Sequence, residues 1–294
     1  MAGRKGSRRD VEELSISQLS ILPDAEIAEA FDDSWRDVEQ SVLMHGPAGY
    51  RRVSKWLDIE PKASAMAFVA GKPAGVVLTG IRDPDRGYIA SIAIKAEYRG
   101  KGIGRRLLGW GISRARMFGC RKVGLHVFED NVRAISLYAS VGFRLVRRVG
   151  HWEGMIASKG AKGLKIRYSE ADGISAGFIA EEGGKLWENE SKSLINLGDG
   201  IICAKAEKDG ATVGYMAYST RSLCWVLDMG FVKATPPEEA AELLLSIPTA
   251  RFLPCVMTTV VEGSENERIA GQLGLKLERR RIEMELLLSS EPMA

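Results

Sequence analysis

Small and apolar side chains at Ile27, Ala30, Phe31, Ser34, Trp35 and Val38 recur at intervals of three and four, which predicts a helix within residues 21–42 with one buried side. A loop, His45-Gly46-Pro47-Ala48-Gly49, separates it from a shorter helical segment at 50–57. The period then changes. Residues 65–69 and 75–80 read as a hairpin turned by Ala70-Gly71-Lys72-Pro73, and residues 88–95 as a further strand after a polar loop at 82–87. Beyond Arg99-Gly100-Lys101-Gly102-Ile103-Gly104 a helical period runs through Leu107, Gly111, Ile112, Ala115 and Phe118 until Gly119 stops it. A strand at 122–128, a helix at 131–141 closed by Gly142 and a strand at 143–148 complete the series.

The plan then recurs. Residues 158–163 have the small and charged composition of a linker. After them Asp209-Gly210-Ala211-Thr212-Val213-Gly214 echoes the earlier Gly71-Lys72-Pro73-Ala74-Gly75 turn, and residues 225–232 stand where the strand at 88–95 stood. Leu273-Gly274-Leu275-Lys276 likewise echoes Val141-Gly142-Phe143-Arg144. We read a diverged internal repeat: a loose basic tail at 1–12, a first domain at 13–158 and a second at 159–294.

Composition narrows the classes. The 294 residues are 45% hydrophobic and 27% charged, as in ordinary globular chains, and no run approaches the length of a membrane helix. Cys120, Cys203, Cys224 and Cys255 lie far apart and form no CxxC pair, so neither a disulfide framework nor a zinc site is expected, and a reducing cytoplasm suits the chain. A net charge of +3 gives no field for nucleic acid; the basic run Arg4, Lys5, Arg8, Arg9 reads as a solvated tail.

The glycines between the strand at 88–95 and the next helix change the picture more. They leave backbone N–H groups uncovered at a helix entrance, where the dipole also favours an anion, and Arg99, Lys101, Arg105 and Arg106 add positive charge. The pyrophosphate of a nucleotide-containing cofactor suits such a place. A dinucleotide fingerprint would need a glycine at position 105, which is Arg, and no G-x-x-x-x-G-K run exists for a mononucleotide loop.

The stretch 92–143 resembles the GNAT acetyltransferase superfamily. Arg99-Gly100-Lys101-Gly102-Ile103-Gly104 matches its R/Q-x-x-G-x-G/A motif. Leu125-His126-Val127 followed by Asn131, Ala134-Ile135, Leu137-Tyr138 and Gly142-Phe143 matches its second signature in order and spacing. The resemblance implies an α+β (mixed α/β) acyl-CoA N-acyltransferase fold, here in two tandem copies, each a central, mostly antiparallel mixed sheet flanked by helices. It implies acetyl-CoA as co-substrate in a cleft between the strands at 88–95 and 122–128. Main-chain groups of Ile92, Ala93 and Ile94 would hold the pantetheine arm, and Arg99, Gly100, Lys101, Gly102, Ile103, Gly104 and Arg105 the pyrophosphate, with Asn131 matching in the second signature.

In that superfamily an amine attacks the thioester directly, so a base, an oxyanion donor and an acid are needed and no metal is. Tyr138 is the implied donor to the coenzyme A sulfur; its plainer reading is a packed helix aromatic. One branch, the ribosomal-protein N-terminal alanine acetyltransferases, carries Leu-Glu-Val where this chain has Leu125-His126-Val127, so imidazole replaces the carboxylate of the implied base. His126 is chemically suited to the task, directly or through water, although a packing histidine is the alternative. Asp32 and Asp33 are candidates for attracting a cationic amine, and His45 and His151 carry no partner pattern.

In the second copy the corresponding loop, Lys233-Ala234-Thr235-Pro236-Pro237-Glu238-Glu239, has no glycine, two prolines without N–H donors and two carboxylates that repel phosphate. Asn266 stands eight residues before Gly274, against eleven from Asn131 to Gly142, and the tyrosine has no counterpart. A cofactor-incompetent copy is expected, packing against the first, shaping the acceptor cleft or mediating a homodimer. The leading functional expectation is an N-acetyltransferase acting on a primary amine, in a small molecule or at a peptide N-terminus. The alternative is a non-catalytic acyl-CoA-binding sensor or scaffold.

Overall fold

The computed structural model describes residues 13–35, 45–83, 85–170, 185–198, 200–220 and 224–288. The expected basic tail at 1–12 lies outside the described residues. Two compact units divide the chain: residues up to Ser54 with Ile59–Cys120, and Lys55–Asp58 with Arg121 onward.

The first unit carries four antiparallel strands in chain order, β1 (Leu14–Gln18), β2 (Ala65–Val69), β3 (Lys72–Arg82) and β4 (Arg86–Ile94). Strand β1 went unread because five residues flanked by a polar tail offer almost no period. Helix α1 (Asp24–Trp35) buries Ile27, Ala28, Ala30, Phe31 and Ser34; the expected stripe position Val38 lies outside the described residues. Helix α2 spans Gly46–Trp56, and α3 (Ile103–Met117) buries Ile103, Leu107, Leu108, Gly111 and Ala115. Gly111 lets α3 lie close to the sheet, since a Cβ there would stand 2.8 Å from Thr79 Oγ1 and 2.9 Å from Ile89 Cδ1. Strand β3 is buried on both faces, the condition of a strand between helix layers.

The second unit carries β5 (Lys122–Phe128), α4 (Val132–Ser140), β6 (Arg144–Gly154), β7 (Lys165–Glu170), α5 (Ser191–Leu197), β8 (Ile201–Lys208), β9 (Ala211–Ser219), β10 (Cys224–Phe231), α6 (Pro237–Leu245), β11 (Cys255–Val261), α7 (Glu265–Gln272) and β12 (Lys276–Leu287). Its strands lie in the order β5-β12-β6-β11-β10-β9-β8-β7, antiparallel except for the parallel pair β10 and β11. Helices α6 and α7 bury Leu243, Leu244, Ile269 and Leu273 against Met216, Val226 and Met257, while Leu194 of α5 packs with Ile201, Cys203 and Ala217. All four cysteines are buried and none is in a disulfide. No described helix is long and apolar enough to cross a membrane.

Local geometry establishes the repeat. Ala70 and Gly71, like Asp209 and Gly210, all have positive φ, as a two-residue type I′ hairpin requires at both central positions. Strands β4 and β10 share a bulge, a register shift against β3 at Leu78/Thr79 and against β9 at Val226/Asp228. A Cβ on Gly75 would meet the Ile94 side chain at 2.6 Å, and a Cβ on Gly214 would meet that of Phe231 at 2.5 Å, so the same glycine clears the same neighbour twice. By these registers Ile92 corresponds to Met229 and Ala93 to Gly230.

The compact units do not divide at the boundary read at 158/159, and pairing explains why. The two copies exchange their final strands: β12 of the second lies against β5 and β6 of the first, and β6 lies against β11 of the second. The end of the first copy is thereby carried into the second unit.

Candidate functional site

In the first unit, β4 ends in a short 3-10 turn at Ala96–Tyr98 and the chain enters α3 through Gly100 and Gly102, at φ 82° and 81°. Both sit in the left-handed region that side chains disfavour. The first intrahelical bond runs from Arg106 N to Gly102 O, which leaves the N–H groups of Ile103, Gly104 and Arg105 without intrahelical acceptors. There is no acidic residue in the first turn of α3, and Lys101, Arg105 and Arg106 are exposed. A Cβ on Gly102 would meet nothing within 4 Å, so the turn is open on that side. This arrangement fits an anionic diphosphate.

Arg99, expected at the pyrophosphate, has main-chain partners of its own. Its Nε donates to Ile94 O at 2.8 Å and its Nη2 to Ser34 O at 3.2 Å, so the guanidinium clamps the end of β4 to the end of α1. Asp33 forms an ion pair with Lys95 at 3.0 Å, and Asp32 accepts from Gly46 N at 3.1 Å with His45 Nδ1 3.8 Å away. These carboxylates brace the loops around α1.

In the second unit Tyr138 is buried on α4, its ring 6.0 Å from that of Phe143. Burial pushes its phenol up to about 12, so it stays protonated through the neutral range. Asn131 caps α4, its Oδ1 accepting from Ala134 N at 3.1 Å, a structural role for a residue expected to serve the cofactor. Its counterpart at the start of α7 is Ser264, which accepts from Glu267 N, and not the expected Asn266. The second helix is therefore one residue shorter than the first, nine against eight, and not three.

His126 points away from the buried Leu125 and Val127, with 4% of its side chain exposed. Its Nδ1 lies 3.1 Å from Glu188 Oε1, and its Nε2 4.0 Å from Glu283 Oε1. Arg281 Nη1 stands 3.2 Å from Glu188 Oε1, and Arg147 pairs with Glu283. Burial alone would raise the Glu188 carboxyl; the His126 imidazole and the Arg281 guanidinium overcome it and hold the group well below the ordinary carboxylate range. His151 lies 3.7 Å from Glu153, away from this cluster.

Glu188 went unread. It belongs to Trp187-Glu188-Asn189, a buried 3-10 turn of the second copy, and a run of three polar-capable residues carries no period. Its contact with His126 depends on strand exchange, which brings β5 beside β12.

The second copy's cleft is both unfit and filled. Strands β10 and β11 pair only over Cys224–Val226 and Cys255–Met257 and then part. Into the opening, Asn189 Nδ2 donates to Leu227 O at 2.7 Å and also to Thr259 Oγ1, and Asn266 Nδ2 donates to Met229 O at 3.0 Å. Met229 corresponds to Ile92, so the Asn266 amide occupies a main-chain acceptor equivalent to one expected to serve pantetheine. What remains is a cleft floored by Asp228, Thr258 and Val260. In the segment that follows β10, Pro237 opens α6, with Glu238 and Glu239 in the first turn and Glu239 paired to Lys208.

Residues 26–143 match the acetyltransferase (GNAT) family. The chain is similar to N-alpha-acetyltransferase MAK3 of Arabidopsis thaliana, at 33% identity over 95 residues, 31% of this chain and 50% of that protein. It is similar to mycothiol acetyltransferase of Propionibacterium freudenreichii, at 30% identity over 115 residues, 37% of this chain and 35% of that protein. These matches span half or less of the relatives' own lengths. A solved tandem GNAT protein from the clavulanic acid biosynthesis pathway shares the fold, with a TM-score of 0.63 at 12% identity over 95% of this chain and 100% of that one.

Proposed function

We propose that the chain, whose residues 26–143 match the acetyltransferase (GNAT) family, transfers the acetyl group of acetyl-CoA to a primary amine, in a small molecule or at a peptide N-terminus. The contrast between two otherwise matched copies carries the reading. One keeps an open turn with Gly100 and Gly102 left-handed and no acid in the first turn of the helix that follows; the other places Pro237, Glu238 and Glu239 there and fills its cleft with Asn189 and Asn266. Only the first retains what an anionic cofactor needs.

Acetyl-CoA supplies the activated acyl group. The N–H groups of Ile103, Gly104 and Arg105, with Lys101 and Arg105 side chains, would bind its diphosphate, and main-chain groups of Ile92 and Ala93 its pantetheine arm. His126 would take the proton of the attacking amine, and Tyr138 would give a proton to the departing sulfur. The bond formed is N–C and the bond broken is C–S, with one proton accepted and one returned. The likeness to an N-alpha-acetyltransferase and to a mycothiol acetyltransferase supports both acceptor classes.

Calorimetric titration of acetyl-CoA into the full chain tests this directly. The expected result is one site of micromolar-scale affinity, about −8 kcal/mol, followed by thiol release when primary amines are added. Absence of binding would overturn the reading, and binding without turnover on any amine would favour an acyl-CoA sensor.

A further inference from the structure

The segment 185–190 is anchored on both sides of Glu188 to more partners than a connecting loop requires. Lys185 pairs with Asp228 and donates to Tyr215 Oη at 2.8 Å. The Trp187 indole donates to Leu57 O at 3.0 Å, the Trp56 indole to Glu188 O at 3.3 Å, and Ser193 Oγ to Trp187 O at 2.6 Å. Asn189 is fixed to Leu227 O on the parted edge of β10. Leu227 lies just past the point where β10 and β11 part, so the opened cleft of the second copy holds the backbone that carries Glu188.

The chemistry of the contact is specific. An ionised carboxylate only accepts hydrogen bonds, so a neutral imidazole facing Glu188 through Nδ1 must carry its proton on that nitrogen. Its Nε2 then holds the lone pair. Arg281 keeps Glu188 ionised, while Arg147 holds the Glu283 carboxylate. The charged groups facing the imidazole are therefore Glu188 from the segment 185–190, and Arg281 and Glu283 from β12.

We propose that Glu188 is the positioning carboxylate of His126, delivered by the second copy, whose parted strands hold the segment that carries it. This rests on the reading of His126 as the base. It gives the second copy a part in the reaction: it sets which imidazole nitrogen carries the proton.

The test uses the full chain labelled with 15N in its histidine rings, and long-range 1H–15N spectra to read the tautomer. Histidine signals are assigned with His126→Asn. In the parent chain neutral His126 is expected to carry its proton on Nδ1, and in Glu188→Gln a substantial Nε2–H population is expected. An Nε2–H tautomer in the parent chain overturns the proposal without recourse to any variant. So does an unchanged tautomer in a folded Glu188→Gln protein.

Kinetics separate this idea from the one beneath it. With acetyl-CoA and a panel of heptapeptides beginning in Met, Ala or Ser together with spermidine and cysteamine, Glu188→Gln is expected to lower kcat by at least ~10-fold while acetyl-CoA affinity holds within about two-fold, and Glu188→Asp to recover part of the loss. If His126→Asn leaves turnover intact, the base assignment fails, and the spectrum alone still decides whether Glu188 orients the ring. If His126→Asn is slow but Glu188→Gln is not, the positioning role fails alone.

Discussion

Val127 and Ile282 are register partners: the strand that carries His126 is zipped antiparallel to the last strand of the second copy. Strand β12 fills the place between β5 and β6 that a self-contained first copy would close with its own pairing. A protein ending at residue 158 would expose the inward edges of both strands, with Val127 and Leu125 losing the cover of Ile282 and Met284. We expect residues 1–158 to aggregate or to lack a cooperative thermal transition, while coexpression with residues 159–294 restores a soluble complex. Circular dichroism and size-exclusion chromatography would show this, and a monomeric, cooperatively folding 1–158 fragment would show that the exchange is dispensable.

At the glycine turn, backbone and charge can be separated. Gly102 has φ 81° and open space around a new Cβ, so Gly102→Ala costs only the left-handed conformation, about 1–2 kcal/mol. Gly102→Asp adds a negative charge beside the proposed diphosphate, about 1–4 kcal/mol more at close range. Arg99 is bound to Ile94 O and Ser34 O, so Arg99→Ala is expected to weaken acetyl-CoA less than Gly102→Asp and to show mainly as a lower melting temperature. Titration calorimetry ranks the three, and equal affinities for Gly102→Asp and the parent would remove the turn from the site.

The elements with a strong period were legible in the sequence. Strands at 65–69 and 122–128 lie where the alternation put them, and α3 begins at Ile103 because the glycine turn admits no earlier start. The hairpins at Ala70-Gly71 and Asp209-Gly210 were readable because positive φ at two successive residues restricts what can stand there. Strand partners were not readable, because an alternating strand such as β12 offers the same two faces to any neighbour. Glu188 was hidden for the same reason: its role exists only once β12 brings Arg281 and Glu283 beside His126. The cap at Ser264 was missed because Asn266, the better-looking match to Asn131, is turned inward to Met229 O.

Tyr138 is buried, and its phenol is pushed up to about 12 by that burial. As an acid it should remain protonated across the working range, so no alkaline fall in kcat is expected from it near pH 10, where an exposed tyrosine would titrate. Tyr138→Phe keeps the ring against Phe143 and removes only the hydroxyl. Turnover is expected to fall about 10-fold or more with acetyl-CoA affinity unchanged. Unchanged turnover would leave Tyr138 as a packing residue.

The ion cluster around His126 also sets an acid limit on stability. Glu188 is held well below the ordinary carboxylate range in the folded protein, whereas in the unfolded chain it titrates near ~4.3. The unfolded state therefore takes up a proton first as pH falls, so the stabilisation is complete above that value and drains away below it. Other groups bend the curve as well: Glu207 is lowered to about 2 by Lys205 and Arg167, while burial raises Asp228 in the opposite sense. Glu188→Gln isolates one contribution by difference. At neutral pH it leaves Arg281 and His126 buried without their shared anion, a loss of about 3–5 kcal/mol for breaking a buried pair. Below about pH 4 the parent chain progressively loses this stabilisation as pH falls towards the folded-state value, and the gap between the two urea midpoints should narrow. Midpoints that stay a constant distance apart from pH 7 to 3 would mean that Glu188 binds its proton equally in both states, and that the pair with His126 and Arg281 carries no net charge stabilisation.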